Sequence, residues 1–188
     1  MQNPKLVLLT LTLALTANTL CQAQRTMNRQ MFIQAEAITA IPDFGGKAIW
    51  GRYTPSGFCY AGATLANYSN GEVYSEGTKV ADCSYRHLYT NGGYMFRALS
   101  TRKRNLNLYI GAGAFIGAET IDPQGALPSY LTPENKTSVL YGILPQVEME
   151  IFPFRRLALT ISGSLPYNFT SPFGYYHTDL GIGLKLML

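Results

Sequence analysis

Histidine, tryptophan and cysteine are scarce in this chain: it carries 2 His, 1 Trp and 3 Cys among 188 residues. With so few imidazoles and no Cys-x-x-Cys pair, the sequence has no pattern for a zinc site or a dithiol redox centre. Charged residues make up only 14% of the chain, and the formal net charge is +4. That surplus is too small, and too scattered, to suggest a nucleic-acid surface, because the one basic cluster, Arg102-Lys103-Arg104, reads as a solvated turn. The glycine pairs, Asn91-Gly92-Gly93-Tyr94 among them, stand in strand-like stretches. Phosphate-cradling loops need a strand, a turn and then a helix. After the first 20 residues there is no long uninterrupted apolar run, which removes a bundle of membrane helices. No internal repeat and no second domain is evident.

What the chain does have begins at its start. Lys5 precedes an uncharged, mostly apolar run from Leu6 to Leu20, followed by Cys21-Gln22-Ala23. This reads as a secretory signal over residues 1–23, shorter than the ~20 apolar residues of a membrane helix. Asn18-Thr19-Leu20 lacks the small residues expected ahead of a lipidated cysteine, so cleavage beyond Cys21 is preferred. Residues 24–188, about 165 in number, then form one domain carrying a formal charge of +3 once Lys5 is gone. Export makes a Cys59–Cys83 disulfide chemically permitted, and a three-residue turn at Asn70-Gly71-Glu72 would set the two opposite each other. Two unpaired thiols are the preferred reading.

Side-chain parity is the strongest signal. From Tyr176 to Leu188 the even positions are Tyr, Thr, Leu, Ile, Leu, Leu, Leu and the odd positions His, Asp, Gly, Gly, Lys, Met. Successive side chains on a strand point to opposite faces, so one face is apolar and the other small or charged. The same split recurs over Leu106–Glu119, Val139–Ile151 (with Pro145 as a blemish) and Leu157–Leu165. Such segments approach the roughly 9–11 tilted residues that cross a bilayer. Met31–Ala37, Phe58–Leu65, Val73–Asp82 and His87–Leu99 complete a count of eight. The prediction is an all-β, antiparallel up-and-down barrel whose lumen is just filled by side chains.

Links give a second reading. Those at Asn70-Gly71, Ser100–Asn105 and Phe152–Arg155 are short, and those at Ile41–Ser56, Thr120–Lys136 and Tyr167–Gly174 are longer, with one exception after the third strand. Short periplasmic turns and long outer loops place both termini in the periplasm. The inner face is predicted to hold Gly111, Gly113, Gly117, Gly181 and Gly183, which make room for Tyr109 and Phe115. It also holds Glu36, Glu119, Glu148, Glu150, Arg156, Asp179 and Lys185, read as a structural plug of ion pairs because a lone buried charge is costly, with a conduction or ligand site as the alternative. Ser164, His177 and Glu119 can be drawn as a hydrolytic set, but lipid-trimming barrels need theirs at the lipid-facing surface and His177 points inward. No catalytic, cofactor or metal residue is therefore assigned. Asn67-Tyr68-Ser69, Asn135-Lys136-Thr137 and Asn168-Phe169-Thr170 are chance sequon matches in this setting.

Tyr60-Ala61-Gly62-Ala63-Thr64-Leu65, Tyr89-Thr90-Asn91-Gly92-Gly93-Tyr94, Gly111–Thr120 and Phe173–Lys185, in that order and spacing, resemble the TraO family of conjugative transposon proteins. The resemblance implies a non-enzymatic envelope component of a conjugative DNA-transfer apparatus. Its partners would be outer-membrane lipid and other transfer proteins, with no direct nucleic acid. Outer-membrane barrels commonly end in an aromatic residue, and Leu188 departs from that pattern. Two alternatives stand beside this reading. One is a soluble lipocalin-like barrel with its aliphatic face inward around a small apolar ligand; the other is a small lipid-modifying enzyme.

Overall fold

The computed structural model describes residues 29–40, 43–75, 78–101, 105–123, 137–171 and 177–188. Nine strand segments follow one another: β1 Met31–Ala40, β2 Asp43–Thr54, β3 Gly57–Ser75, β4 Thr78–Ser100, β5 Leu106–Pro123, β6 Thr137–Ile151, β7 Leu157–Ser164, β8 Tyr167–Asn168 and β9 Asp179–Met187. From β1 to β7 each pairs antiparallel with the next, β7 pairs with β9, and β9 pairs with β1. Both β7 and β8 pair with β6 in a single register, from Gln146↔Ser164 to Gly142↔Asn168. They are one barrel strand interrupted at Leu165-Pro166, where proline lacks the N–H that a ladder needs. The result is a closed barrel of eight strands.

The count matches the expectation, but through two compensating differences. Residues 43–54, predicted as a loop, form β2, paired with β1 from Ala40↔Asp43 to Met31↔Arg52. The segments Val73–Asp82 and His87–Leu99, predicted as two strands, contribute instead to β3 and to one continuous 23-residue β4. Asn70-Gly71 is no turn: β3 runs on through it, and Ser75 pairs with Thr78. Cys83 consequently faces Gly71 across the ladder, while Cys59 faces Tyr94 and is a free, exposed thiol, so the disulfide geometry does not exist. With β2 in place, the links after β1 and β3 span only residues 41–42 and 76–77, so the predicted alternation of short and long links does not hold throughout. The end that carries the start of β1 and the end of β9 has only the connections at 55–56, 101–105 and 152–156. Tyr167-Asn168, predicted as loop, is strand β8, and the closing strand spans nine residues where thirteen were expected. Residues 1–23 and most of the predicted loop Thr120–Lys136 lie outside the described residues.

Parity decides what each face meets. Leu180, Ile182, Leu184 and Leu186 lie outward, 42–56% exposed, while Asp179, Lys185 and Met187 between them are buried. Ile110, Ile116, Val139, Ile143, Val147 and Ile161 continue the aliphatic belt on the other strands. Aromatic side chains bracket it: Phe96 and Phe154 at the terminal end, Phe44, Tyr141, Tyr167 and Phe169 at the opposite end. Waterless surroundings leave no partner for an open backbone group, which a closed barrel avoids, and interfacial aromatics belong at both rims. The soluble alternative required the reverse, aliphatic face inward, and the burial pattern overturns it.

The lumen is packed rather than hollow. Near the terminal end Phe32, Tyr53, Phe58 and Tyr109 interlock, with Phe58 lying 4.8 Å from Tyr109 and 5.3 Å from Phe32, ring centre to ring centre. Edge-to-face contacts of this kind add about 0.5–1.5 kcal/mol each beyond their area. Glycine makes room for the rings. A Cβ at Gly142 would stand 2.7 Å from the ring of Phe115, and one at Gly113 would strike the hydroxyl of Tyr60.

Candidate functional site

Two polar clusters occupy the lumen, one at mid-height and one toward the end opposite the termini. The first is centred on Lys185 of β9. Lys185 pairs with Ala158 on β7, and Thr160 next along the inner face of that strand is also small, so the ammonium reaches across β7 to carboxylates on β6. Lys185 Nζ lies 2.5 Å from both Glu148 Oε1 and Glu150 Oε1, with all three side chains 6% exposed or less. It also stands over Phe32 and Phe58, 4.3 and 4.2 Å from the ring centres, where the π faces favour a cation.

Neutral donors complete the arrangement. Tyr53 donates its hydroxyl to Glu150 Oε1 at 2.5 Å, and Gln34 Nε2 donates to Glu148 Oε2 at 2.9 Å and Glu36 Oε1 at 2.6 Å. Lys47 of β2 lies 3.7 Å from Glu36 and donates to Gln146, which in turn donates to the Tyr60 hydroxyl. Buried charges repay their desolvation only when paired and hydrogen-bonded on every side. This chain meets that condition with three carboxylates, two lysines and a shell of amide and hydroxyl donors, which leaves the lumen filled at this level. Lys47 was missed in the sequence because residues 43–54 read as loop. Conversely, Arg156 was placed on the inner face, but it sits exposed in the 152–156 turn, beyond the end of β6.

The second cluster is built from cross-strand pairs. Tyr68 and Tyr85 are partners across β3 and β4, stacked 4.8 Å apart at 12°. His87 and Glu119 are partners across β4 and β5, with His87 Nε2 2.7 Å from Glu119 Oε2. Ser171 and Ser138 donate to the same carboxylate, at 2.7 and 3.4 Å. His177, just ahead of β9, packs 4.8 Å from Tyr68 and 5.4 Å from His87. Burial, reinforced by the neighbouring His87, lowers its pKa from 6.5 to about 4, against the pull of Glu119.

The set Ser164, His177 and Glu119 does not come together as a nucleophile and base. Ser164 bonds Asp179, its partner across β7 and β9, and Glu119 is engaged by His87 and the two serines. Among the described residues, His177 Nε2 has no hydrogen-bond partner. Glu119 and His87 could have been matched in the sequence had β4 been read as one strand.

These features describe a lipid-facing barrel with a packed, ion-paired interior, and a family model described as conjugative transposon protein TraO matches residues 53–188. The chain belongs to the TraO family. Among solved structures, a major outer membrane protein from Thermus thermophilus is similar at 12% identity and a TM-score of 0.62, over 86% of this chain and 100% of that one. Ail, the attachment invasion locus protein of Yersinia pestis, is similar at 10% identity and a TM-score of 0.51, over the same shares. At such identities the likeness is one of fold, and this TraO-family chain has the fold of an outer-membrane-type barrel. No curated protein matches it.

Proposed function

We propose that this TraO-family barrel is a non-enzymatic structural or assembly component of a conjugative DNA-transfer apparatus. It stands in the outer membrane with its termini in the periplasm, after removal of residues 1–23 on export. The observation that carries the reading is the family match over residues 53–188, on a barrel whose outer belt is aliphatic and whose lumen is closed by the Lys185–Glu148–Glu150 group. A filled lumen suits a scaffold better than a pore. The short turns at the terminal end and the long β3–β4 hairpin at the other offer surfaces to other transfer proteins on either side of the membrane. Outer-membrane lipid is the remaining partner, and direct contact with the transferred DNA forms no part of the proposal.

Deleting the gene and measuring mating frequency tests it. Transfer is expected to fall and to return with the intact gene supplied in trans, and unchanged transfer would overturn the assignment. The enzymatic alternative makes a separate demand. If Ser164→Ala or His177→Ala altered the lipid composition of the outer membrane, the non-enzymatic reading would have to be replaced.

A further inference from the structure

Outside the barrel, at the terminal end, a pocket of about 440 Å³ is lined by Arg29, Arg52, Thr54 and Cys59. Both arginines are exposed, and neither has a carboxylate partner among the described residues. Arg29 holds a φ of 76°, a left-handed conformation that a residue other than glycine keeps only where its surroundings hold it. They do so here: the Arg29 N–H donates to the Tyr53 carbonyl at 3.0 Å, and the Tyr53 N–H to the Gln30 carbonyl at 2.9 Å. Two guanidinium groups are thus brought to one pocket at the rim of the belt.

Directly above the pocket, on the same strands, lies a groove of about 670 Å³ whose lining includes Ile33, Ala35, Ala48, Trp50, Ala61 and Leu186. The register shows the continuity. Arg52 faces Cys59 across β2 and β3, and two residues on, along the same outer face, Trp50 faces Ala61. Ala35, Ala48 and Ala61 hollow the surface between the larger Ile33, Trp50 and Leu186. From Arg52 to Ala48 the strand rises about 14 Å, or about 10 Å along the membrane normal at a tilt of roughly 40°. Half of an apolar belt roughly 25 Å tall is about the same depth. Among the described residues, no acidic side chain lines either the pocket or the groove.

We propose that the pocket and groove together bind one anionic glycerophospholipid of the periplasmic leaflet, its phosphate between Arg29 and Arg52 and an acyl chain along the alanine-floored groove. Charge complementarity selects the headgroup, since paired guanidinium groups suit phosphate oxygens. Continuity with an apolar channel of leaflet depth selects an amphiphile over a free anion. The inference rests on the membrane-barrel reading above and adds a specific lipid to it.

Trp50 is the chain's single tryptophan and lines the groove, so its fluorescence reports the occupant. The full-length mature barrel is reconstituted in phosphatidylcholine vesicles doped with either phosphatidylglycerol or phosphatidylcholine carrying the same brominated, quenching acyl chains. Phosphatidylglycerol is expected to quench Trp50 at the lower mole fraction, with about a five-fold loss of that preference for each of Arg29→Gln and Arg52→Gln. Heat-modifiable migration of each variant shows that the barrel has folded and inserted. Equal quenching by the two lipids means ordinary annular contact and overturns the proposal, as does a preference that survives both substitutions. Weak quenching by either, with a cross-linked dimer, assigns the groove to a second copy and also overturns it. Failure of the unaltered protein to insert at all would defeat the membrane-barrel reading itself.

Discussion

Around Lys185 the ammonium has two carboxylates within 2.5 Å, and those carboxylates accept further bonds from Tyr53, Gln34 and Asn107. Around His177 the pattern differs: four rings pack against one another, only Tyr68 and Tyr85 stacked face to face, one carboxylate is shared by His87 and two serines, and an imidazole nitrogen stands without a partner among the described residues. The first cluster draws its charges from β1, β2, β6 and β9, which closure of the barrel forces together. The second is built across adjacent strands, from Tyr68 of β3, Tyr85 and His87 of β4, Glu119 of β5 and Ser138 of β6, joined by Ser171 and His177 from outside the strands. Mid-lumen is therefore where loss of one residue strands several others, and the mouth is where the molecule has room to change.

The largest effect should come from removing the central cation. Lys185→Met leaves Glu148 and Glu150 buried beside each other without a counter-charge, and breaking such a pair costs about 3–5 kcal/mol. Loss of the heat-modifiable folded band in urea titrations would register it. Adding Glu148→Gln and Glu150→Gln should restore most of the folded fraction. If Lys185→Met alone were harmless, the distinction between mid-lumen and mouth would collapse.

A smaller effect separates the inside from the outside. Ile182, midway along β9, faces outward, so Ile182→Lys should cost about 2–4 kcal/mol in a bilayer through placement of a charge at mid-depth. The same unfolding measurement in vesicles reads it. A neutral outcome would mean that this face meets water.

The smallest effect belongs to the mouth and depends on pH. His177 is held near pKa 4 when folded and returns to about 6.5 when freed, so the folded form binds fewer protons between those values. The contribution of His177 to stability at the mouth should be flat above pH 6.5 and decline as pH falls toward 4, as the buried imidazole is forced to accept charge. Tyrosine fluorescence or hydrogen exchange in β3 and β4 follows the change. His177→Gln should flatten the profile, and a profile unaltered by that substitution would assign the titration to another group.

The parts of this architecture visible in the sequence were those whose alternation is uninterrupted. Leu180, Ile182, Leu184 and Leu186 against Gly181, Gly183 and Lys185 leave no second interpretation, and β5, β6 and β7 follow the same rule. Strand β2 was hidden because its outward face mixes Phe44, Gly46, Ala48, Trp50 and Arg52, large, small and charged, and Gly45-Gly46 imitates a loop. Strand β4 was divided because the polar run Ser84–Arg86 interrupts it, and Asn70-Gly71 is a strong turn signal that tertiary pairing overrides. The candidate site was legible by halves. Lys185, Glu148, Glu150 and Glu36 were placed inward and required to pair, which they do; Lys47 and the His87–Glu119 contact depended on the two strands that were misread. The lipid-sized groove had no signature at all, since Arg29, Arg52 and the three alanines meet only through register.

The central claim is that this TraO-family chain is a closed barrel standing in lipid. Its most direct test is electrophoresis of carbonate-washed outer membranes with and without boiling. The account predicts that the protein stays with the membranes and that its unheated form runs as a compact, faster band that shifts on boiling. Recovery in the soluble periplasmic fraction, with no heat-dependent shift, would contradict it.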